Sequence, residues 1–212
     1  MKTDDLISAI AADAAAPRAP IGRTVCLGAG LAVVTAAIVF AALLPMRPDM
    51  AVALGDAHFL FKWAFTLTLL LTAMALIMRL ARPEKVPGLQ LLILLAAPLV
   101  LALGVASELL ALPSSEWMPT MVGTNAWGCM IFIPILSAVP LVVLIIALRQ
   151  GAPARPALTG AVAGLAAAGM AATFYAMHCQ NDSPLFLAAW YVLATAIVVT
   201  AGSLLGARLL RW

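Results

Sequence analysis

The hydrophobic residues of this chain are grouped into six long runs, and the charged residues are concentrated in the segments outside them. Each run is close to the ~20 residues that a helix needs to cross about 30 Å of hydrocarbon. The runs cover residues 24–44, 59–78, 87–107, 127–148, 157–177 and 185–207. Because a helix satisfies its own backbone hydrogen bonds in lipid, the pattern predicts an all-α integral membrane bundle of six transmembrane helices.

Composition supports a single membrane domain and leaves no room for a soluble domain of any size. Hydrophobic residues make up 65% of the 212 residues, charged residues make up 10%, and the mean hydropathy is +1.10. We therefore predict two parts, an N-terminal segment over residues 1–23 and a six-helix transmembrane domain over residues 24–212.

The lysines and arginines are divided unevenly between alternate segments, and this division predicts an orientation. Ten would lie on the side of the N-terminus: Lys2, Arg18, Arg23, Arg79, Arg82, Lys85, Arg149, Arg155, Arg208 and Arg211. Arg47 and Lys62 would lie on the opposite side. Because basic residues are retained on the cytoplasmic side, both termini are predicted to be cytoplasmic. The net charge of +3 then reflects topology and implies no direct nucleic-acid partner.

The N-terminal segment is predicted to contain a short amphipathic helix. Thr3 is well placed as its N-cap, and Asp4 and Asp5 would lie in the first turn, where negative charge is favourable. Four apolar residues follow along one side: Leu6, Ile7, Ile10 and Ala14. An isolated helix of this length is marginal in water, so we expect a partner surface to order it. The alternative is a helix lying on the inner leaflet, which the two aspartates disfavour.

The segments on the predicted outer side collect ligands that suit soft metals and redox chemistry. They contain both histidines, His58 and His178, and two of the three cysteines, Cys129 and Cys179. Asp182 follows shortly after Cys179. If the helix ends meet, the two cysteines can form a disulfide, bind a soft metal as thiolates or remain free. The sequence leaves these states open, with His178, His58 and Asp182 as candidate further metal ligands.

Catalytic motifs and a transport pathway are both missing from the sequence. It has no CxxC pair, no HExxH zinc motif, no glycine-rich phosphate loop and no serine in an elbow context, so we expect no enzyme and no required cofactor. Lys62 is expected to extend outward past Trp63, and Glu108 lies at the outer end of the third run, so neither marks an ion pathway.

Two pairs of glycines predict close helix packing in the last two runs. Gly160 and Gly164 form one GxxxG motif, and Gly202 and Gly206 form a second. Such motifs allow two helix backbones to approach closely. Packing within the chain is the first interpretation, and a homodimer interface is the alternative.

Three motifs carry a resemblance to a known family. The first is Thr3-Asp4-Asp5-Leu6-Ile7, at the start of the chain. The second is Trp127-Gly128-Cys129 followed by Pro134, Ser137 and Pro140, and the third extends from Cys179 through Asp182-Ser183-Pro184 to Trp190-Tyr191. With the six-span layout, the chain resembles the NrsF-like family of polytopic anti-sigma factors. These proteins hold extracytoplasmic-function sigma factors at the bacterial inner membrane.

The resemblance implies a function for each side of the membrane. The N-terminal segment would sequester a sigma factor away from core RNA polymerase through Thr3, Asp4, Asp5, Leu6, Ile7 and Ile10. The segments 79–87 and 149–155 could assist it. Cys129 and Cys179 would sense a periplasmic stress, with a soft metal ion or an oxidant as the signal.

Two other classes of protein remain as alternatives. A small transporter or metal-handling membrane protein would use His58, His178, Cys129, Cys179 and methionines as an entry site, but it needs a polar path that the runs do not supply. A purely structural membrane subunit would respond to no stress at either side.

Overall fold

The computed structural model describes residues 3–5, 7, 8, 11, 20–82 and 88–211, and its regular structure in this part of the chain is helical. Within these residues, six helices are long and apolar enough to cross a membrane, as the sequence predicts. We number them α1 (Ile21–Leu43), α2 (Ala57–Leu80), α3 (Leu89–Ala111), α4 (Ala126–Leu148), α5 (Pro156–Ala176) and α6 (Pro184–Leu209). Their bounds differ from the predicted runs by up to four residues.

The largest difference is at the end of α3. The polar pair Ser107-Glu108 suggested an end at residue 107, but the helix continues to Ala111 and includes Glu108. It stops there because Leu112 precedes Pro113 and takes an extended backbone, with φ −97° and ψ 141°. A residue before proline is sterically disfavoured in the helical region.

The central helix of the bundle is α5, which packs against α6, α2 and α4. Its glycines and alanines make this possible, because small side chains let neighbouring backbones approach. A Cβ at Gly160 would overlap the carbonyl oxygen of Gly202, and one at Gly164 would overlap that of Val198. The two GxxxG motifs are thus used in packing within the chain, which was the first interpretation.

The helices α1 and α3 lie at the periphery. α1 packs mainly on α4, and α3 packs mainly on α2. Both leave large apolar side chains uncovered, among them Leu27 and Leu31 on α1 and Leu99 and Leu103 on α3. A surface of this kind suits contact with lipid hydrocarbon.

The two ends of the bundle differ in character. One end, here called the cysteine end, contains residues 44–56, 112–125 and 177–183, with short helices at Met50–Ala53 and Ser114–Val122. The other, here called the basic end, contains the starts of α1, α3 and α5 and the ends of α2, α4 and α6, where Arg79, Arg149 and Arg208 lie.

Candidate functional site

Cys129 and Cys179 meet at the cysteine end. Cys129 lies in the first turn of α4, and Cys179 lies in the loop 177–183 that joins α5 to α6. Both side chains are fully buried in one hydrophobic cluster, both thiols are free, and the Cys179 thiol donates to the Asn181 carbonyl oxygen at 3.8 Å. The neighbouring Cys129 thiol lowers the pKa of Cys179 below its ordinary value; burial opposes this shift, and the charge of Lys62 supports it.

Lys62 is fully buried beside this pair, so the expectation that it extends outward past Trp63 is wrong. Its Nζ donates to the carbonyl oxygen of Cys179 at 2.9 Å and forms an ion pair with Asp182 at 2.5 Å. A buried ammonium is costly unless it is paired and hydrogen-bonded. The loop 177–183 supplies both the countercharge and the acceptor, which explains why the side chain turns inward.

Arg47 is the second buried cation, with 5% of its side chain exposed. It donates two hydrogen bonds of 2.8 Å to Asp49 and one of 2.8 Å to Asp182, and its guanidinium lies 5.2 Å from the centre of the Phe59 ring. These contacts raise the pKa of Arg47 and lower that of Asp49 to about 2. Asp182 is therefore shared by two cations from different parts of the chain.

Backbone contacts fasten the loop after α1 to the loop after α5. The backbone N–H of Arg47 donates to the carbonyl oxygen of Met177 at 2.9 Å, and Nδ1 of His178 lies 2.8 Å from the carbonyl oxygen of Pro45. The two segments therefore form one connected surface over the cysteine pair.

Glu108 joins α3 to the start of α6. Its Oε2 accepts from the Ser183 hydroxyl at 2.8 Å and from the backbone N–H of Leu185 at 3.4 Å. Ser183 also caps α6 by accepting from the same N–H at 3.1 Å. A carboxylate at this position interacts favourably with the helix N-terminus. Glu108 thus links the end of α3 to the start of α6.

Polar side chains surround the Cys129 side of the pair. Asn125 donates to the Tyr175 hydroxyl at 3.2 Å, and Asn181 donates to the Thr124 hydroxyl at 3.3 Å. A Cβ at Gly128 would overlap both Asn125 and Tyr175. The glycine before Cys129 therefore allows this approach at the start of α4.

The other predicted metal ligands do not join the two thiols in one cluster. His58 is exposed and lies 3.8 Å from Asp56, the residue that caps α2. His178 faces Pro45, and Asp182 is paired with the two buried cations. Among the described residues, no group of three or more His, Cys, Asp or Glu residues could hold a metal ion. Soft-metal binding by the two thiols stays a prediction.

Arg47 and Lys62 are the residues of this site that the sequence analysis missed. The sequence did contain a signal for them, because they are the two basic residues predicted to lie on the side opposite the other ten. A charge on the unexpected side of a membrane protein often has a specific partner. Here that partner is Asp182, whose pairing with α2 only the fold reveals.

The predicted partner-binding residues lie far along the chain from this site. Thr3, Asp4, Asp5 and Ile7 are helical and exposed, with 59% of Ile7 accessible. Leu6 and Ile10 lie outside the described residues. The assignment of these six residues to partner binding remains a prediction.

The fold and the cysteine end define a helical protein with six helices able to cross a membrane and with a buried thiol pair and ion network at one end. A family model described as "Negative regulator of sigma F" (NrsF) matches residues 10–212, and the chain belongs to this family. It is a family of regulators rather than of enzymes, which agrees with the absence of catalytic motifs.

Two curated relatives are similar along their whole length. The chain is 32% identical to a protein named "Probable anti-sigma-F factor NrsF" from Azospira oryzae and 34% identical to one named "Anti-sigma-F factor NrsF" from Caulobacter vibrioides. Each alignment covers 100% of this chain and 100% of the relative. No solved structure matches the chain.

Proposed function

We propose that this chain is an inner-membrane anti-sigma factor that sequesters an extracytoplasmic-function sigma factor and releases it on a periplasmic stress. The observation that supports it most is the full-length similarity to two anti-sigma-F factors. The resemblance in the N-terminal motif and the buried thiol pair is consistent with the two parts of this function: retention of the sigma factor and response to a signal.

The proposed orientation places both termini in the cytoplasm and the cysteine end in the periplasm, because basic residues favour the cytoplasmic side. A cysteine introduced by Gln180→Cys should react with a membrane-impermeant maleimide in cells whose outer membrane is permeabilised. One introduced by Gln150→Cys should react only after the inner membrane is opened. Both positions are exposed, and the parent chain provides the background signal. The reverse pattern would contradict this orientation.

The N-terminal helix is the proposed contact with the sigma factor. Asp4 and Asp5 offer negative charge, and the exposed Ile7 offers an apolar contact of the kind that a helix uses in a partner's groove. The segment has the chemistry of a docking helix, and it lies on the proposed cytoplasmic side, where a sigma factor is available.

Removal of residues 1–16, which deletes the proposed contact, should reduce the sigma factor recovered with detergent-solubilised protein by at least about tenfold. The single change Ile7→Asp should have an effect of the same size, because a buried carboxylate at an apolar contact is costly. The matched control is Val52→Asp, which changes an apolar residue with 77% exposure at the cysteine end. We expect it to retain the sigma factor. Equal recovery with Ile7→Asp, with the deletion variant and with the unmodified chain would refute the N-terminal assignment.

Cys129 and Cys179 are the proposed sensors. Metal binding would release thiol protons and place a cation between two sulfurs, and oxidation would join them covalently. Either change alters the contact between α4 and the loop 177–183. A signal can shift the bundle between two arrangements only to the extent that it favours one of them, and a change at this contact provides such a preference.

A further inference from the structure

Lys62 has a role that the proposed function does not yet include. We infer that Lys62 is a positioning residue for the Cys129–Cys179 pair: with Asp182 it holds the loop 177–183 so that the two thiols stay in contact. Its biological meaning rests on the proposed sensing function. The geometric claim concerns the placement of two sulfur atoms and can be tested without a sigma factor.

The two cysteines are held in different ways. Cys129 belongs to α4, so the helix fixes its position. Cys179 lies just past the end of α5, where its backbone N–H still donates to the Tyr175 carbonyl oxygen at 3.0 Å, but its own carbonyl oxygen must find donors outside the helix. The distance between the two sulfurs therefore depends on what anchors the loop.

Lys62 anchors that loop to a spanning helix at two points. From α2, its Nζ binds the carbonyl oxygen of Cys179 at 2.9 Å and the carboxylate of Asp182. The first of these contacts is to the cysteine itself. Arg47 also donates to the Cys179 carbonyl oxygen, at 3.5 Å, but Arg47 itself lies in another loop. The contacts from Glu108 reach Ser183, at the far end of the segment. Lys62 thus ties Cys179 directly to a transmembrane helix.

A packing role alone does not explain a lysine at this position. An apolar side chain of similar length would fill the same volume without the desolvation of a charge, and buried ion pairs are often replaceable in this way without loss of stability. The side chain is fully buried, and its ammonium makes its ion pair and its hydrogen bond with the loop. The function of Lys62 is therefore to hold the loop 177–183 in place.

Lys62→Met tests this assignment with little risk to the fold. Methionine keeps the length and apolar volume of the side chain and removes the two polar contacts. Asp182 would keep its pairing with Arg47 at 2.8 Å through Oδ2, so the carboxylate retains a cationic partner. The Cys179 carbonyl loses one of its two donors and keeps the Arg47 guanidinium, at 3.5 Å.

The measurement is the thiol–disulfide equilibrium of the full-length protein in detergent with glutathione. In this reaction a bond forms between Sγ of Cys129 and Sγ of Cys179, the S–S bond of glutathione disulfide breaks, and two electrons and two protons pass to give two glutathione thiols. The equilibrium constant reports how favourably the fold places the two sulfurs. The exposed Cys26 is replaced by serine in every variant, so that it forms no mixed disulfide.

Lys62→Met should lower this equilibrium constant at least tenfold, which for a two-electron couple is a potential about 30 mV less negative. Lys62→Arg keeps the charge and donors and should recover most of the loss. The matched control is Thr66→Val, one turn further along α2, where a buried hydroxyl bonds only within its own helix, to the Trp63 carbonyl oxygen at 3.2 Å. It should leave the potential unchanged.

Size-exclusion elution and helical circular dichroism establish that each variant is folded. An unchanged potential in Lys62→Met overturns the positioning role and leaves the proposed function intact. The same shift in Thr66→Val also overturns it, because the effect would then be general to the helix. A parent protein that forms no disulfide at any glutathione ratio overturns both this inference and oxidant sensing. A tenfold loss in the equilibrium constant that is confined to Lys62→Met and reversed by Lys62→Arg supports the positioning role of Lys62.

Discussion

At the scale of single residues, the cysteine end is organised around the carboxylate of Asp182. It accepts from Arg47 and pairs with Lys62, and both cations are almost completely removed from water. Removing one partner of a buried ion pair is strongly destabilising because it leaves an uncompensated charge. Asp182 is therefore the carboxylate that both buried cations share.

Asp182→Asn should destabilise the protein by about 3–5 kcal/mol, because Lys62 would keep a buried charge without a carboxylate partner. Asp49→Asn is the matched control, since Asp49 also binds Arg47 but its side chain is 45% exposed. We expect that change to have a much smaller effect, and thermal unfolding in detergent compares the two. Equal loss of stability in both variants would show that Asp182 has no special place in the network.

The residues of this site were predictable to different degrees. Cys129 and Cys179 could be singled out because few cysteines occur in the chain and both flank predicted helix ends. The role of Lys62 could not, because its acceptor in Cys179 lies 117 residues further along the chain. Sequence periodicity places residues on helices, but it contains no information on which loop covers which helix end.

At the scale of elements, the six helices were predictable because the hydrophobic runs are long and the bilayer requires about 20 residues per span. The end of α3 was not, because the hydrophobic run stops at residue 107, next to the charge of Glu108. In the structure its charge is held at the start of α6 by Ser183 and Leu185. A charged residue near a predicted helix end can thus belong to the helix when another element supplies its partner.

The glycine motifs were also predictable only in part. Their spacing predicted close packing in the last two runs, but it did not decide between packing within the chain and a homodimer interface. The structure pairs Gly160 with Gly202 and Gly206, across α5 and α6. A homodimer would therefore need a surface other than these glycines, since they are covered within the chain.

At the scale of the whole molecule, α2 connects the two ends of the bundle. Lys62, near its start, contacts the loop of Cys179. Just past its other end, Ala81 packs closely against Gly151: a Cβ on this glycine would overlap the Ala81 carbonyl oxygen. Ile21, at the start of α1, adjoins the same glycine. The N-terminal segment is attached at Ile21. A continuous series of packed groups therefore joins the thiol pair to the start of α1.

This connection is the physical basis for the proposed coupling, in which chemistry at Cys129 and Cys179 changes the affinity of the chain for a sigma factor at the opposite end. Such a coupling is a difference in binding free energy between two states of the protein. It requires that the modified thiol pair favours one arrangement of the bundle and that the bound sigma factor favours the other.

The most direct test measures the affinity of the sigma factor for the full-length protein in lipid nanodiscs, once with reduced thiols and once with the Cys129–Cys179 disulfide. The account predicts at least tenfold weaker binding in the disulfide form, and no difference between the same two treatments in Cys129→Ser, which cannot form that bond. Equal affinity in the two forms of the unmodified chain would contradict oxidant-driven release through this thiol pair.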